Sequence, residues 1–374
     1  MKTAWTFTLS LLFTVALTAQ YQGGGDFLPV KVGEKYGYIN SEGDVVIEPQ
    51  FDWADRFSEG LAAVRVDDDN LGYNGKYGYI DVEGKFVIEA AYVSAGSFSN
   101  GWARVKEDRE GFIYIDKTGQ KPIEKKFVEC YNINEFPIPV RVTRKDMAGY
   151  VDKTGEYVIE PKFHMARPFV NGYAVVMINR QSGYIDKEGN FLIEPKFYRA
   201  NYFQDGLARV TLRDPETRKK TEGFIDHSGE FVIKPIYKLG CASDFSNGLA
   251  AVSVDGQKWG YIDTKGNVVI EPKFERAGTF VGGAAKAKHK GKYGIIDRNG
   301  KWLIKPKYDN ISNFENGVAS VFLKNERMGY INTRGKYVWK AKKVKKKKDE
   351  LFDDYEELEE KMMKKREKRK KNKG

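Results

Sequence analysis

One stretch holds the plan of the chain in miniature. Leu249-Ala250-Ala251-Val252-Ser253-Val254 reads as a strand, Asp255-Gly256-Gln257 as a turn, and Lys258-Trp259-Gly260-Tyr261-Ile262 as a second strand. Asp263-Thr264-Lys265-Gly266 is a tight turn, Asn267-Val268-Val269-Ile270-Glu271 is a third strand, and Pro272 ends it. The carboxylate of Asp263 can accept backbone N–H groups further along the turn, and Gly266 takes positive φ without a Cβ clash. Pro272 cannot donate to a ladder.

The same turn recurs nine times, starting at Asn40, Asp81, Asp116, Asp152, Asp186, Asp226, Asp263, Asp297 and Asn332, 34 to 41 residues apart. Ile-[Glu/Lys]-Pro recurs at Ile47–Pro49, Ile159–Pro161, Ile193–Pro195, Ile233–Pro235, Ile270–Pro272 and Ile304–Pro306, each followed two residues later by Phe or Tyr. A return segment, Ala-x-x-Phe-x-x-Gly, follows at Ala54, Ala95, Ala166, Ala200 and Ala242, and its Phe is expected to pack between neighbouring units. A period of this length marks a repeat architecture. The chain is therefore expected to be all-β: an array over 26–340 of about nine three-stranded antiparallel meanders. Nine units of three strands fit a propeller of four-stranded blades poorly, so an open, curved solenoid is favoured, with propeller-like closure as the runner-up.

These units resemble WG repeats, also called KWG repeats. The signature stands here as Lys258-Trp259-Gly260, with Tyr for Trp in Lys35-Tyr36-Gly37, Lys76-Tyr77-Gly78 and Lys292-Tyr293-Gly294. The downstream part is Gly-[Tyr/Phe]-Ile-[Asp/Asn]-x-x-Gly, then Ile-[Glu/Lys]-Pro-x-Phe. The third unit departs from it: Gly111-Phe112-Ile113-Tyr114-Ile115-Asp116 has two extra residues, and Phe136-Pro137-Ile138-Pro139 lacks the Gly. It is read as irregular, a joint between two sub-arrays. The resemblance implies a binding array rather than an enzyme.

The ends differ in composition. Residues 1–19 read as a signal peptide, with Lys2, an apolar run from Trp5 to Leu17, and Ala19 before cleavage. Residues 20–25 form a linker. No Cys precedes Cys130, so no acylated lipoprotein cysteine is expected, and no second long apolar run follows. The protein is expected to be exported, periplasmic or at the cell surface. From 341 to 374 the chain carries 15 Lys/Arg against 9 Asp/Glu in blocks, and Leu351, Tyr355, Leu358 and Met362 form a helical stripe. This segment is expected to be a charged C-terminal helix or tail. Its Lys345, Lys346, Lys347, Lys348, Tyr355, Lys364, Lys365, Arg366 and Arg369 are the candidate contacts for an acidic protein, anionic lipid or glycan. Nucleic acid is not expected outside the cytoplasm.

No catalytic constellation appears. His164, His227 and His289 sit at different phases, and no Cys-x-x-Cys or His-x-x-x-His pair exists. Asp67, Asp69 and Asn70 lack calcium-loop spacing. No metal or cofactor is expected, and Cys130 and Cys241 are read as free thiols. Trp53, Trp102, Trp259, Trp302 and Trp339 lie at different phases, which favours core packing over a row of sugar platforms. Two long loops, from Asp67 to Asn74 and from Asp214 to Thr221, fall on the same edge of the array. The leading function is a non-catalytic envelope protein-interaction scaffold; a carbohydrate- or cell-wall-binding module is the alternative.

Overall fold

The computed structural model describes residues 27–67, 75–108, 111–323 and 327–341. The signal peptide, linker and charged tail lie outside these, apart from Ala341, as do Asp69 and Asn70. The described residues form nine antiparallel sheets and no helix. The sheets span 28–51, 53–92, 94–127, 129–163, 165–197, 199–238, 249–274, 276–308 and 310–340, and we call them blades one to nine.

Blade two shows the common plan. Trp53–Ala54, Ala62–Val66, Lys76–Ile80 and Phe86–Tyr92 pair in chain order. The meander expected from the sequence is present, but a fourth strand precedes it. That strand is only two residues long and is cut from the return segment. Seven blades carry four strands. Blade seven holds the same place with a single bridge, Ala242 to Val252, and blade one begins directly at Leu28–Val32.

The glycine of the signature has a steric cause. At Gly78 the register between the third and fourth strands shifts, and the facing backbone runs against it. A Cβ there would stand 2.6 Å from the Ile88 carbonyl oxygen and 2.8 Å from the Ala90 nitrogen. Gly183 meets Ile193 and Pro195 in the same way.

Three recurring contacts tie blades to their neighbours, the phenol being absent from blades six and eight, where Phe224 and Ile295 stand in its place. The first is a phenol. Tyr79 donates to the Gly96 carbonyl at 2.7 Å, Tyr150 to Arg167 at 2.8 Å, and Tyr184 to Asn201 at 2.6 Å, always 17 residues on. The second is the return-segment Phe, which packs on that tyrosine ring: Phe57 on Tyr38, Phe98 on Tyr79, Phe280 on Tyr261. The third is the turn glycine, which sits on the Ile of the blade before: Gly84 on Ile47, Gly189 on Ile159, Gly300 on Ile270.

The open solenoid is overturned because the last blade makes these contacts with the first. Tyr330 donates to the Pro29 carbonyl at 3.0 Å across 301 residues of sequence. Gly43 lies against Val338, and Leu28, Val30, Ile39, Val318 and Tyr330 form one buried cluster. Arg56 of blade two reaches Glu315 of blade nine at 2.6 Å, past blade one. The array is a closed, nine-bladed β-propeller. The short strand makes this possible, since it supplies the fourth strand that the three-strand reading lacked.

The third unit is no joint. Tyr114 keeps its place and donates to the Tyr131 carbonyl at 2.6 Å. Ile113 stands where other blades have the signature glycine and is buried. The facing Glu124-Lys125-Lys126 has no proline, and the blade passes to the next without a break.

Candidate binding cleft

The tail residues Lys345, Lys346, Lys347, Lys348, Tyr355, Lys364, Lys365, Arg366 and Arg369 lie outside the described residues. The repeated carboxylates are engaged in their own turns: Asp263 accepts Lys265 N–H at 2.9 Å and Asn267 N–H at 2.8 Å, and Asp116 accepts those of Thr118 and Gln120. The recurring tyrosines are buried: Tyr38, Tyr79, Tyr150 and Tyr184 expose nothing. Trp259 is buried, and Trp53, Trp102 and Trp302 pack against core clusters. Cys130 and Cys241 are free. Burial pushes the Cys130 thiol up to about 12, so it is no nucleophile near neutral pH. His164, His227 and His289 are exposed, and His227 stacks on Phe203 at 4.1 Å between ring centroids. Asp67 pairs with Arg65 at 2.8 Å.

What the ring leaves open is a cleft between blades five and six. Successive strands are antiparallel, so turns joining second and third strands, and links between blades, lie on one face of the ring. The cleft opens on that face. So does the second long loop, whose base continues the ladder through Leu212–Thr221 and Arg213–Lys220; the first, apart from Asp67, lies outside the described residues. The cavity measures 590 Å³.

Its origin is a local loss of the signature aromatic. In blade two, Tyr77 stands before the glycine and packs edge-on against Trp53, with centroids 5.6 Å apart. In blade five the same two places hold Ser182 and Met165, and in blade six they hold Glu222 and Arg199. Trp53 is particular to blade two, but the signature ring is missing from blades five and six alike, and Met177 beside Met165 is left bordering the gap.

The floor is an ion pair. Glu222, 1% exposed, accepts Arg209 Nη1 at 2.6 Å and also the N–H groups of Gly240 and Ala242. Arg209 Nε reaches Asp244 at 2.9 Å, and Asp244 accepts Asn201 Nδ2 at 2.8 Å. A buried carboxylate with this many donors is compensated, and it pins the Leu239–Gly240 link over the cleft.

The rim is different. Arg167, Arg180, Arg199 and Arg213 line the cavity with Arg209, against the single lining carboxylate of Glu222. Among the described residues, the structure pairs none of those four with a carboxylate. The Arg167 guanidinium makes a long contact, 3.4 Å, to the Ala200 carbonyl. Arg199 and Arg213 stand 5.6 and 5.7 Å from the Tyr198 ring centroid, and Lys220 stands at 4.4 Å. Lys220, with Arg199 and Arg213 behind it, pulls the Tyr198 phenol below its ordinary value. Arg180 lies at the second place of a two-residue hairpin turn with φ +65°, where blade eight has Gly291. An L-residue there costs about 1–2 kcal/mol, and the chain carries an arginine all the same. The arrangement can take up negative charge beside an apolar wall of thioethers.

Sequence reasoning passed over these residues. The signal was present, because Gly149, Gly183 and Gly223 are preceded by Ala148, Ser182 and Glu222 instead of Tyr or Trp. Each gap in a packing signature marks a place where a cavity can open.

The model of the family described as WG containing repeat matches residues 36–68, 77–109, 149–180, 183–214, 223–257, 259–293 and 293–326. The span left between 109 and 149 includes the third unit's Ile113 and the glycine-less Phe136–Pro139. A sequence search of curated proteins finds no match. Among solved structures, the chain is similar to one described as a eukaryotic initiation factor, with 12% identity and a TM-score of 0.59 over 84% of this chain and 96% of that one. BamB from Moraxella catarrhalis aligns at 12% identity and a TM-score of 0.33, over 85% of this chain and 88% of that one. The extracellular domain of the putative hybrid two component system BT3049 from B. thetaiotaomicron aligns at 10% and 0.26, over 85% and 57%. At these identities the first likeness concerns the fold alone, and the two weaker ones carry no argument.

Proposed function

The chain belongs to the family of WG-containing repeats, and from that premise we propose that it is a non-catalytic protein-interaction scaffold working outside the cytoplasm. One observation carries the reading. The polar groups that recur in every unit are consumed by the ring's own turns and ties, so the repeat maintains the scaffold. Departures from the repeat, the cleft and the long loop of blade six, gather on one face. Surface loops and irregular positions on a rigid frame are where binding residues concentrate. The carboxylates that open the repeated turns offer no general acid, since each is already an acceptor of backbone N–H groups.

Export rests on the charged, apolar and small residues of 1–19. No helix among the described residues is long and apolar enough to cross a membrane. A wall-binding module would need exposed aromatics in phase, and the tyrosines of the Gly-[Tyr/Phe]-Ile step are buried, while those before the signature glycine are half-buried.

The test is a pull-down from solubilised envelope of the source cell with the signal-free chain, a version ending at Lys340, and a version with Arg199→Glu and Arg213→Glu. A specific co-purifying protein supports the scaffold. Its loss with the truncation assigns the contact to the tail; its loss with the charge reversals assigns it to the cleft face. Recovery of polysaccharide alone would sink the scaffold reading.

A further inference from the structure

We propose that the cleft between blades five and six seats an acidic peptide segment of a partner protein, its carboxylates held by Arg167, Arg180, Arg199 and Arg213 and an apolar side chain lying against Met165 and Met177. This rests on the scaffold reading and names the chemistry of one contact within it.

Four features point to this occupant. The first is charge. The cavity has five arginines and one glutamate, and that glutamate is already bonded to Arg209 and two backbone N–H groups. A ligand entering it meets a positive rim over a neutralised floor. The second is donor type. Guanidinium forks match planar carboxylates in two-bonded geometry, which favours Asp and Glu side chains. The third is shape. The cationic rim occupies one inter-blade gap, bordered by thioethers and Leu239, whereas a polyanion that tracks its backbone needs a continuous basic groove. Met is an adaptable surface for an apolar side chain. The fourth is Arg180, which holds a positive φ where glycine costs less.

The repeat itself supplies the test. Ser182→Tyr restores the residue that Tyr36, Tyr77 and Tyr293 provide at the same place in other blades. It refills the cavity without touching a charge. Arg180→Gly relieves the turn and removes one guanidinium. The probe is a fluorescein-labelled peptide of glutamates with interspersed leucines, added to the full signal-free chain. Parallel arms carry a sulfated glycan (heparin) and inorganic phosphate.

The expected result is saturable peptide binding that weakens with added salt. Ser182→Tyr and Arg199→Ala each weaken it about tenfold or more. Arg180→Gly weakens it too, while raising the thermal midpoint of the chain, a pairing that a merely structural arginine would not give. If Ser182→Tyr fails to fold, Met177→Phe fills the same cavity from the neighbouring strand. Peptide binding that ignores cavity filling overturns the proposal. So does tighter binding of heparin with the same dependence on the arginines, or binding of phosphate alone. A partner still captured from envelope by Ser182→Tyr would leave the scaffold standing and sink the cleft assignment.

Discussion

The hydroxyl of Tyr79 donates to the Gly96 carbonyl in the next blade, and its ring carries Phe98 of that blade at 4.8 Å between centroids. Burial pushes the Tyr79 phenol up, so the hydroxyl remains a donor at any ordinary pH. Tyr79→Phe keeps the ring and strands the carbonyl. It is expected to cost about 1–2 kcal/mol, seen as a lower urea midpoint at unchanged slope. The chain should still fold, since Phe224 and Ile295 hold the same place in blades six and eight. Gly183→Ala tests a harder constraint. Its Cβ would meet the Ile193 carbonyl oxygen at 2.5 Å and the Pro195 nitrogen at 2.8 Å. Backbone must move, and the expected loss is about 1–3 kcal/mol. A loss near zero in the same unfolding measurement would mean that the facing strand yields freely, as it does around Ile113 in blade three. Sequence marked Gly183 as part of a signature, yet the reason lay in a facing strand ten residues on. The neighbouring Ser182 is the opposite case: its identity was on view, but its meaning depends on what fills the same place elsewhere.

The turn is the element most fully legible in sequence, because its chemistry is local. Asp152 accepts the N–H of Thr154 at 2.8 Å and that of Glu156 at 3.2 Å, and Gly155 takes φ +85°. The Thr118 hydroxyl and then backbone N–H groups hold Asp116 below the usual carboxylate range; Thr154 and Ser228 do the same for Asp152 and Asp226. A lowered folded value means that protonation favours the unfolded chain. The contribution is therefore complete above the unfolded value, about 4, and is lost as pH falls through the folded one. Asn40 and Asn332 show that a neutral amide oxygen serves the same turn. Replacing Asp116, Asp152 and Asp226 together by Asn is expected to flatten the decline of the urea midpoint below about pH 4, with little change near neutral pH. An unchanged acid limb in the triple variant would show that acid unfolding starts elsewhere. The short first strand, by contrast, was not legible. Two residues such as Trp53–Ala54 carry no alternation to read, and their pairing to Arg65 and Val64 is set by the turn that brings them round.

At the scale of the whole molecule, spacing alone left closure open. A repeat of regular length states that neighbours are alike; it does not state the angle between them, and that angle alone separates a ring from a spiral. The seam answers it with contacts that repeat elsewhere. Tyr330 plays toward Pro29 the part that Tyr38 plays toward Asp55, and blade one, without a short strand, offers a carbonyl of its own edge to that phenol. A ring has no free end at which unfolding can begin, so a defect at the seam must weigh as much as one inside. Val30 lies in the seam cluster, and Val176 lies within blade five; both are fully buried. Val30→Ala and Val176→Ala are each expected to cost about 2 kcal/mol and to lower a single, shared unfolding transition. In an open array, Val30 would sit on a terminal face already in water. Its truncation would then be nearly silent, while Val176→Ala would still be felt. Equal shifts in the two urea midpoints, followed by both far-ultraviolet ellipticity and tryptophan fluorescence, are the result that closure requires. A silent Val30→Ala, or two probes that part company in the seam variant alone, would mean that the first and last blades separate in solution.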